Sequence, residues 1–125
     1  MSLFLNSFYT ITSHDFKENT HHFILTIDSK HKIFSGHFPN KPVTPGVVQM
    51  EILKELVEKA INCEVQLKSM PSCKFLAVLN PNIDNSIQVE IEIKEQNTEI
   101  IRLNALIKNQ ETNFTKLSLI YNLIK

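Results

Sequence analysis

Alternation of apolar and polar residues predicts that most of this chain is extended. His22–Asp28 places Phe23, Leu25 and Ile27 on one side, as in a half-buried strand. Ser86–Glu95 alternates most clearly, with branched apolar side chains facing one way and polar ones the other. Four further strands are predicted at Cys63–Met70, Ser72–Leu79 (a more continuous apolar run), Ile100–Lys108 and Phe114–Leu123.

One segment has a helical period instead. Apolar residues recur three and four positions apart between Met50 and Ile61, which predicts one helix from about Pro45 to Ile61. Thr44 is a candidate N-cap, and Pro45 takes the first helical position, where the missing N–H of proline costs nothing. The apolar residues cover only part of the circumference, so one face remains for solvent or a partner.

The resulting order, with extended structure first, one helix and then further strands, indicates an α+β domain. The economical packing wraps a curved antiparallel sheet around the helix, because both elements then share one core. At 125 residues the chain fits a single domain, 1–125, whose core can fold without disulfides.

Composition excludes several classes of function. The formal net charge is zero, so bulk electrostatics favour neither nucleic acid nor an anionic membrane. The N-terminus lacks the basic and apolar regions of a signal peptide, and no apolar run approaches a membrane span, so we expect a cytoplasmic protein. Cys63 and Cys73 have no zinc-ligand spacing, so we expect two free thiols and no metal.

Backbone-restricting residues are concentrated in one stretch, Phe34–Glu51. Both glycines of the chain, Gly36 and Gly46, and three of its five prolines lie there. Prolines spaced by three residues fall on one face of a stiff, extended segment. The stretch therefore predicts an ordered loop around His37 that leads into the helix.

This stretch offers two candidate chemical groups. His37 can act as a general base near neutral pH, although a loop histidine without a role fits the pattern equally well. Gly46 and Val47 occupy the first helical turn, where backbone N–H groups lack partners and can hold a thioester carbonyl as it gains charge. On the pattern alone, plain helix capping is the simpler explanation of Gly46.

Periodicity argues against a chemical role for Glu51. At 100° per residue it shares one side of the helix with Glu55 and Glu58, opposite Leu53 and Val57. The pattern therefore predicts a solvated face. Glu51 becomes a proton donor only if a second subunit buries it and raises its pKa.

Together these residues form a motif. GHFPNKPVTPGVVQME resembles the active-site segment of the β-hydroxyacyl-acyl carrier protein dehydratases, of the FabZ type with the FabA isomerising branch as a relative. The shared form is G-H-F-P-x-x-P-[VI]-x-P-G-V, with a glutamate fourteen residues after the histidine, as His37 and Glu51 are here. A weaker similarity covers Lys74–Asp84, KFLAVLNPNID.

The resemblance implies a hot-dog fold, with the helix as the sausage and the antiparallel sheet as the bun. It implies a homodimer, or a trimer of dimers, in which His37 of one subunit lies near Glu51 of the other. It also implies dehydration of a (3R)-hydroxyacyl thioester, carried on acyl carrier protein or coenzyme A, to a trans-2-enoyl thioester without a metal or nucleotide cofactor.

The family's roles can be carried onto this chain residue by residue. The resemblance implies that His37 takes the proton from C2 and that Glu51 protonates the departing C3 hydroxyl, directly or through an ordered water. The Gly46 N–H would bind the thioester carbonyl. The other candidates for substrate binding are Val47, next to Gly46, and three apolar residues expected to line the acyl tunnel, Phe38, Val43 and Val48.

The sequence also departs from the family pattern. Ile52 and Glu55 stand where the family often has alanine and glutamine, and Pro81–Asp84 replaces its P-G-D turn. These changes keep the chemical pair but leave the substrate open, so a specialised lipid or polyene pathway competes with fatty-acid elongation.

Two other functions stay open on the sequence. A hot-dog thioesterase uses a carboxylate on the central helix to activate water, but the proline-rich histidine loop favours dehydration, which needs a base at C2. A non-catalytic acyl-binding subunit would keep the fold alone, and retention of both His37 and Glu51 argues against it.

Overall fold

The structure, a computed structural model, describes residues 4–28, 46–80 and 85–124. In this part of the chain two strands precede one helix and four strands follow it, which confirms the expected order of strands, helix and strands but gives one strand fewer after the helix. The elements are β1 (Tyr9–Lys17), β2 (Thr20–Ile27), α1 (Gly46–Ile61), β3 (Glu64–Phe75), β4 (Ser86–Gln96), β5 (Ile100–Lys108) and β6 (Asn113–Ile124).

The six described strands form one antiparallel sheet in the order β1-β2-β4-β5-β6-β3. Strands β1 and β3 are therefore the two edges of the sheet. Strand β3 directly follows the helix in sequence but pairs with the last strand, β6. The inward side chains of the sheet and the apolar side chains of α1 make one core. This arrangement confirms the expected α+β hot-dog fold.

The predicted alternation accounts for the core face of the sheet. In β2 the side chains of Phe23, Leu25 and Ile27 are buried, and their neighbours His22 and Ile24 are exposed. In β4 the side chains of Ile87, Val89 and Ile91 are buried, and the polar residues between them are partly buried. Period-two alternation therefore decides which face of these strands packs on α1.

The helix buries a wider arc than the sequence suggests. Leu53, Leu56 and Val57 are buried as expected, but so are Val48 and Ile52 on the adjoining side. Because a curved sheet contacts the helix from several directions, the buried arc exceeds the stripe that a flat partner would cover. The proposed cap residues, Thr44 and Pro45, lie outside the described residues.

Strand β3 corrects the prediction of two strands at Cys63–Met70 and Ser72–Leu79. It is one strand that ends at Phe75, with pairing irregularities between Leu67 and Ser72. Pro71 lies in this interval and cannot donate to a ladder, which an edge strand tolerates. The alternation is also broken there, since Leu67 is 44% exposed although Val65, two residues before it, is buried.

Candidate functional site

The candidate residues that the structure describes lie on the first two turns of α1. Gly46 is its first residue, and Glu51 follows a turn and a half later. Val48 belongs to the core, whereas Val47 is 78% exposed. Three of the candidates lie outside the described residues: His37, Phe38 and Val43. The approach of His37 to Glu51 therefore stays a prediction.

Gly46 lies directly beneath an aromatic ring that the sequence did not single out. A Cβ at this position would be 2.7 Å from Cζ of Phe75, closer than carbon atoms can approach. Phe75 is the last residue of β3 and is 57% exposed. The glycine is therefore required for the ring to pack against the start of α1. The signal that could have pointed to Phe75 is the place of this residue in the KFLAV stretch, Lys74–Val78, within the weaker similarity to the dehydratases.

Glu51 is half-buried within a single chain. Burial, followed by hydrogen bonding to Glu55 and repulsion from it, raises the pKa of Glu51 to about 7, against an opposing effect of Lys54. The expectation that only a second subunit could raise this pKa is therefore wrong. The fold of one chain already produces a carboxyl that can donate a proton near neutral pH.

Glu55 corrects the prediction of a solvated helix face. Only 2% of it is exposed, and among the described residues three donors surround its carboxylate. The backbone N–H of Phe4 donates to Oε2 at 3.1 Å, that of Leu5 to Oε1 at 3.0 Å, and the Tyr9 hydroxyl to Oε1 at 3.0 Å. The N-terminal segment, residues 4–9, thus covers this part of the helix.

Glu58 is also tied into the fold. Its Oε2 accepts a hydrogen bond from the backbone N–H of Val65 at 2.9 Å, which links the end of α1 to the start of β3. Periodicity could not show this contact, because the donor belongs to the next element. We call Glu51, Glu55 and Glu58 the acidic cluster.

A buried tyrosine adjoins the acidic cluster. Tyr121 on β6 is 1% exposed, and its hydroxyl has no hydrogen-bond partner among the described residues. Burial, with further contributions from the charges of Glu51 and Glu58, raises its pKa above the usual range. Neither Tyr121 nor Tyr9 carried a sequence signal, since both sit at ordinary inward strand positions.

Other chemical groups are sparse in residues 4–28, 46–80 and 85–124. No group of three or more His, Cys, Asp or Glu side chains there is placed to hold a metal ion. Cys63 and Cys73 are both free and partly buried, as expected. No helix in these ranges has the length and apolar character to cross a membrane.

A groove of about 680 Å³ runs across the outward-facing side of the sheet. Its lining includes His22 and Glu90 on neighbouring strands and Lys74 and Lys116 at the other end. None of the candidate residues that the structure describes lines it.

Comparison with known proteins places this arrangement in a family. The profile of the ApeI-like family, described as ApeI dehydratase, matches residues 13–115. The chain belongs to this family. The resemblance seen in the sequence motif is confirmed, and dehydration is the reaction class of the family.

Curated relatives of this ApeI-like chain include 3-hydroxyacyl-[acyl-carrier-protein] dehydratases FabZ. The protein of Rickettsia bellii is 30% identical over 83 residues, which are 60% of this chain and 56% of that protein. The protein of Rickettsia canadensis is 29% identical over 83 residues, 60% and 57% of the two chains. The match thus spans little more than half the length of these relatives.

Solved structures show the same fold. The dehydratase heterocomplex ApeI:P from Xenorhabdus doucetiae matches with a TM-score of 0.71 and 17% identity, covering 90% of this chain and 96% of that one. A hypothetical thioesterase with coenzyme A from Streptococcus pneumoniae matches with a TM-score of 0.66 and 12% identity, covering 93% and 85%. At these identities the likeness concerns the hot-dog fold alone.

Proposed function

We propose that this chain dehydrates (3R)-hydroxyacyl thioesters, carried on acyl carrier protein or coenzyme A, to trans-2-enoyl thioesters. Membership of the ApeI-like dehydratase family supports the reaction class. The observation that carries the proposal is that Glu51 is half-buried and has a raised pKa. A carboxyl with a pKa of about 7 is about half protonated at neutral pH, so it can serve as the acid that expels hydroxide as water.

The reaction needs one base and one acid. His37 would remove the proton from C2, and the C2–H electrons would form the C2–C3 double bond as the C3–O bond breaks. Glu51 would give its proton to the departing hydroxyl, so that water leaves and the carboxylate remains. Each positioned acid or base typically contributes about 10²–10⁴-fold in rate.

The start of α1 would stabilise the charge that develops on the thioester. The helix is 16 residues long and begins at Gly46, so its first N–H groups lack intrahelical acceptors and lie at the positive end of the dipole. The Gly46 N–H would donate to the carbonyl oxygen as it gains enolate character. Losing one comparable donor costs roughly 3 kcal/mol of transition-state stabilisation elsewhere.

A homodimer is part of the proposal, since its acid and base would come from different subunits. Strand β3 is an edge of the described sheet, and Leu67, Met70 and Phe75 on it are 44%, 41% and 57% exposed. Unpaired edges with exposed apolar side chains are ready templates for pairing with another chain. A second copy paired along β3 would cover these side chains next to the helix start.

The test is an assay with two substrates. Purified protein is given a 3-hydroxyacyl thioester and its saturated analogue, with enoyl formation and free thiol both measured. Enoyl product from the first substrate supports the proposal. Free thiol from both, without enoyl product, would identify a thioesterase instead. Thioesters of graded chain length, on acyl carrier protein and on coenzyme A, then define the substrate.

Two variants test the assignment of acid and base. Glu51→Gln and His37→Ala should each lower kcat at least 10²-fold, because each removes a proton-transfer group. Glu111→Gln changes an exposed glutamate in the β5–β6 turn and serves as the matched control. Activity that survives both site variants would rule out the proposed mechanism.

A further inference from the structure

The two carboxyls of Glu51 and Glu55 face each other along α1. They are four residues apart, so they lie one above the other on neighbouring turns. The two side chains interact, since a hydrogen bond to Glu55 and repulsion from Glu55 are both among the causes that raise the pKa of Glu51. Two carboxyls can form such a bond only when one of them carries a proton.

The surroundings of Glu55 decide which of the two carries it. Two backbone N–H groups, of Phe4 and Leu5, and the Tyr9 hydroxyl all donate to the Glu55 oxygens at 3.0–3.1 Å. A backbone N–H can only donate, so each of the Glu55 oxygens already accepts from a fixed donor. Glu55 is therefore the acceptor in the pair, and the shared proton belongs to Glu51.

We propose that Glu55 is a positioning residue for Glu51, whose carboxylate accepts the Glu51 proton in a hydrogen bond and holds it in place for transfer to the substrate. The inference rests on the proposed role of Glu51 as the acid. It adds an arrangement in which the N-terminal segment, residues 4–9, fixes the carboxylate that in turn orients the acid.

Other charged groups also face Glu51. On the helix, Glu58 adds a smaller repulsion and Lys54 attracts, so they act in opposite directions on its pKa. Tyr9 on β1 and Tyr121 on β6 lie close enough for the Glu51 charge to raise their own pKa values. Both tyrosines remain neutral at neutral pH, so among these groups Glu55 has the largest effect on Glu51.

Glu55→Gln separates this role from packing, because glutamine has nearly the same shape. The amide removes the negative charge, and its N–H can donate to the Glu51 carboxylate, which stabilises the charged form of Glu51. The pKa of Glu51 should fall by about one unit or more. Glu58→Gln removes the weaker repulsion from the same helix face and should lower it by less.

The first measurement follows the Glu51 carboxyl directly by ¹³C NMR titration. We expect a midpoint near 7 in the wild-type protein and a midpoint at least about one unit lower in Glu55→Gln. If Glu55→Gln does not fold, Glu55→Asp is measured instead. Aspartate keeps the negative charge but withdraws the carboxyl from Glu51, so a smaller downward shift of the Glu51 midpoint is expected. A wild-type midpoint near 4.5, or one unchanged by the variant, overturns the inference.

The second measurement is the pH dependence of kcat/KM with a 3-hydroxyacyl thioester. Activity needs protonated Glu51, so its alkaline limb should move down by about one pH unit or more in Glu55→Gln and less in Glu58→Gln. An unchanged limb in Glu55→Gln, with activity still lost in Glu51→Gln, overturns the positioning role alone. Full activity in Glu51→Gln overturns the proposed function instead.

Discussion

Glu55 links the N-terminal segment to α1 at the scale of a single side chain. Replacing it with alanine leaves the N–H groups of Phe4 and Leu5 and the Tyr9 hydroxyl without their acceptor. Each unsatisfied buried group costs about 1–3 kcal/mol, so we expect Glu55→Ala to lower the free energy of unfolding by about 3 kcal/mol or more. Urea denaturation measures this.

The matched control for this prediction is Glu99→Ala, in the exposed β4–β5 turn. Exposed substitutions of this kind stay within about 0.5 kcal/mol. Equal stability losses in the two variants would show that these three hydrogen bonds of Glu55 make no net contribution to the free energy of unfolding.

Two histidines on the β1–β2 hairpin predict a loss of stability in acid. His14 Nε2 and His21 Nδ1 are 2.9 Å apart, and His21 is 7% exposed. Burial lowers the pKa of both rings, so the folded state takes up protons less readily than the unfolded chain, whose histidines titrate near 6.5. The contribution of the pair should be constant above about pH 6.5 and unfavourable as the pH falls below it.

The effect of Glu51 on stability in acid has the opposite sign to that of the histidine pair, so the two effects must be separated. Its pKa is raised in the folded state, so proton uptake between about pH 7 and 4.5 stabilises that state. Thermal unfolding from pH 7.5 to 5 is therefore compared between wild type, His14→Gln and the exposed control His22→Gln. The acid loss should shrink in His14→Gln only, and equal slopes in all three would contradict the prediction.

At the scale of elements, the contact between the end of β3 and the start of α1 can be tested by a double-mutant cycle. Gly46→Ala alone forces the Phe75 ring away, since a Cβ would lie 2.7 Å from Cζ. In a Phe75→Ala background the same change should be neutral or slightly stabilising, because alanine is the better helix former. We expect a coupling free energy of about 1 kcal/mol.

Thermal or urea unfolding of the four proteins measures this coupling. Because the exposed ring can move aside, Gly46→Ala should retain the fold. Additive effects of the two substitutions would mean that the ring does not pack against Gly46 in solution.

Several elements follow from local pattern alone. The helix begins and ends within a residue of its predicted bounds, and β5 has the predicted bounds Ile100–Lys108. The turn between β4 and β5 is built by Asn97, whose Oδ1 accepts hydrogen bonds from the N–H groups of Glu99 and Ile100. Strand β3 was predicted less well, since its irregularity depends on pairing with β6 and not on its own period.

At the scale of the whole molecule, activity should depend on association. If two copies pair along β3, Met70→Lys should dissociate the dimer and remove activity in parallel, because a lysine at the edge opposes strand pairing. Sedimentation equilibrium and the dehydratase assay measure the two effects on the same samples.

The control for association is Ile24→Lys, on β2 inside the sheet. Ile24 is exposed to nearly the same extent as Met70, at 39% against 41%, but it is not on an edge strand. Ile24→Lys should leave the mass in sedimentation equilibrium and the dehydratase activity unchanged. A monomeric wild-type protein with full activity would contradict the dimer.

The sequence by itself determined the features that depend on neighbours a few positions away. Alternation set the inward face of β2 and β4, helical spacing set α1, and the spacing of His37 and Glu51 within one motif indicated the family later confirmed. These signals are local because backbone geometry repeats every two or 3.6 residues.

The tertiary structure decided what distant residues do to one another. Glu55 looked solvated on the helix, yet Tyr9, 46 positions earlier, and the N-terminal backbone bury it and make it a hydrogen-bond acceptor. Burial also raises the pKa of Glu51, and Phe75 reaches Gly46 from the far end of β3. No period encodes such contacts, since they depend on how the sheet closes over the helix.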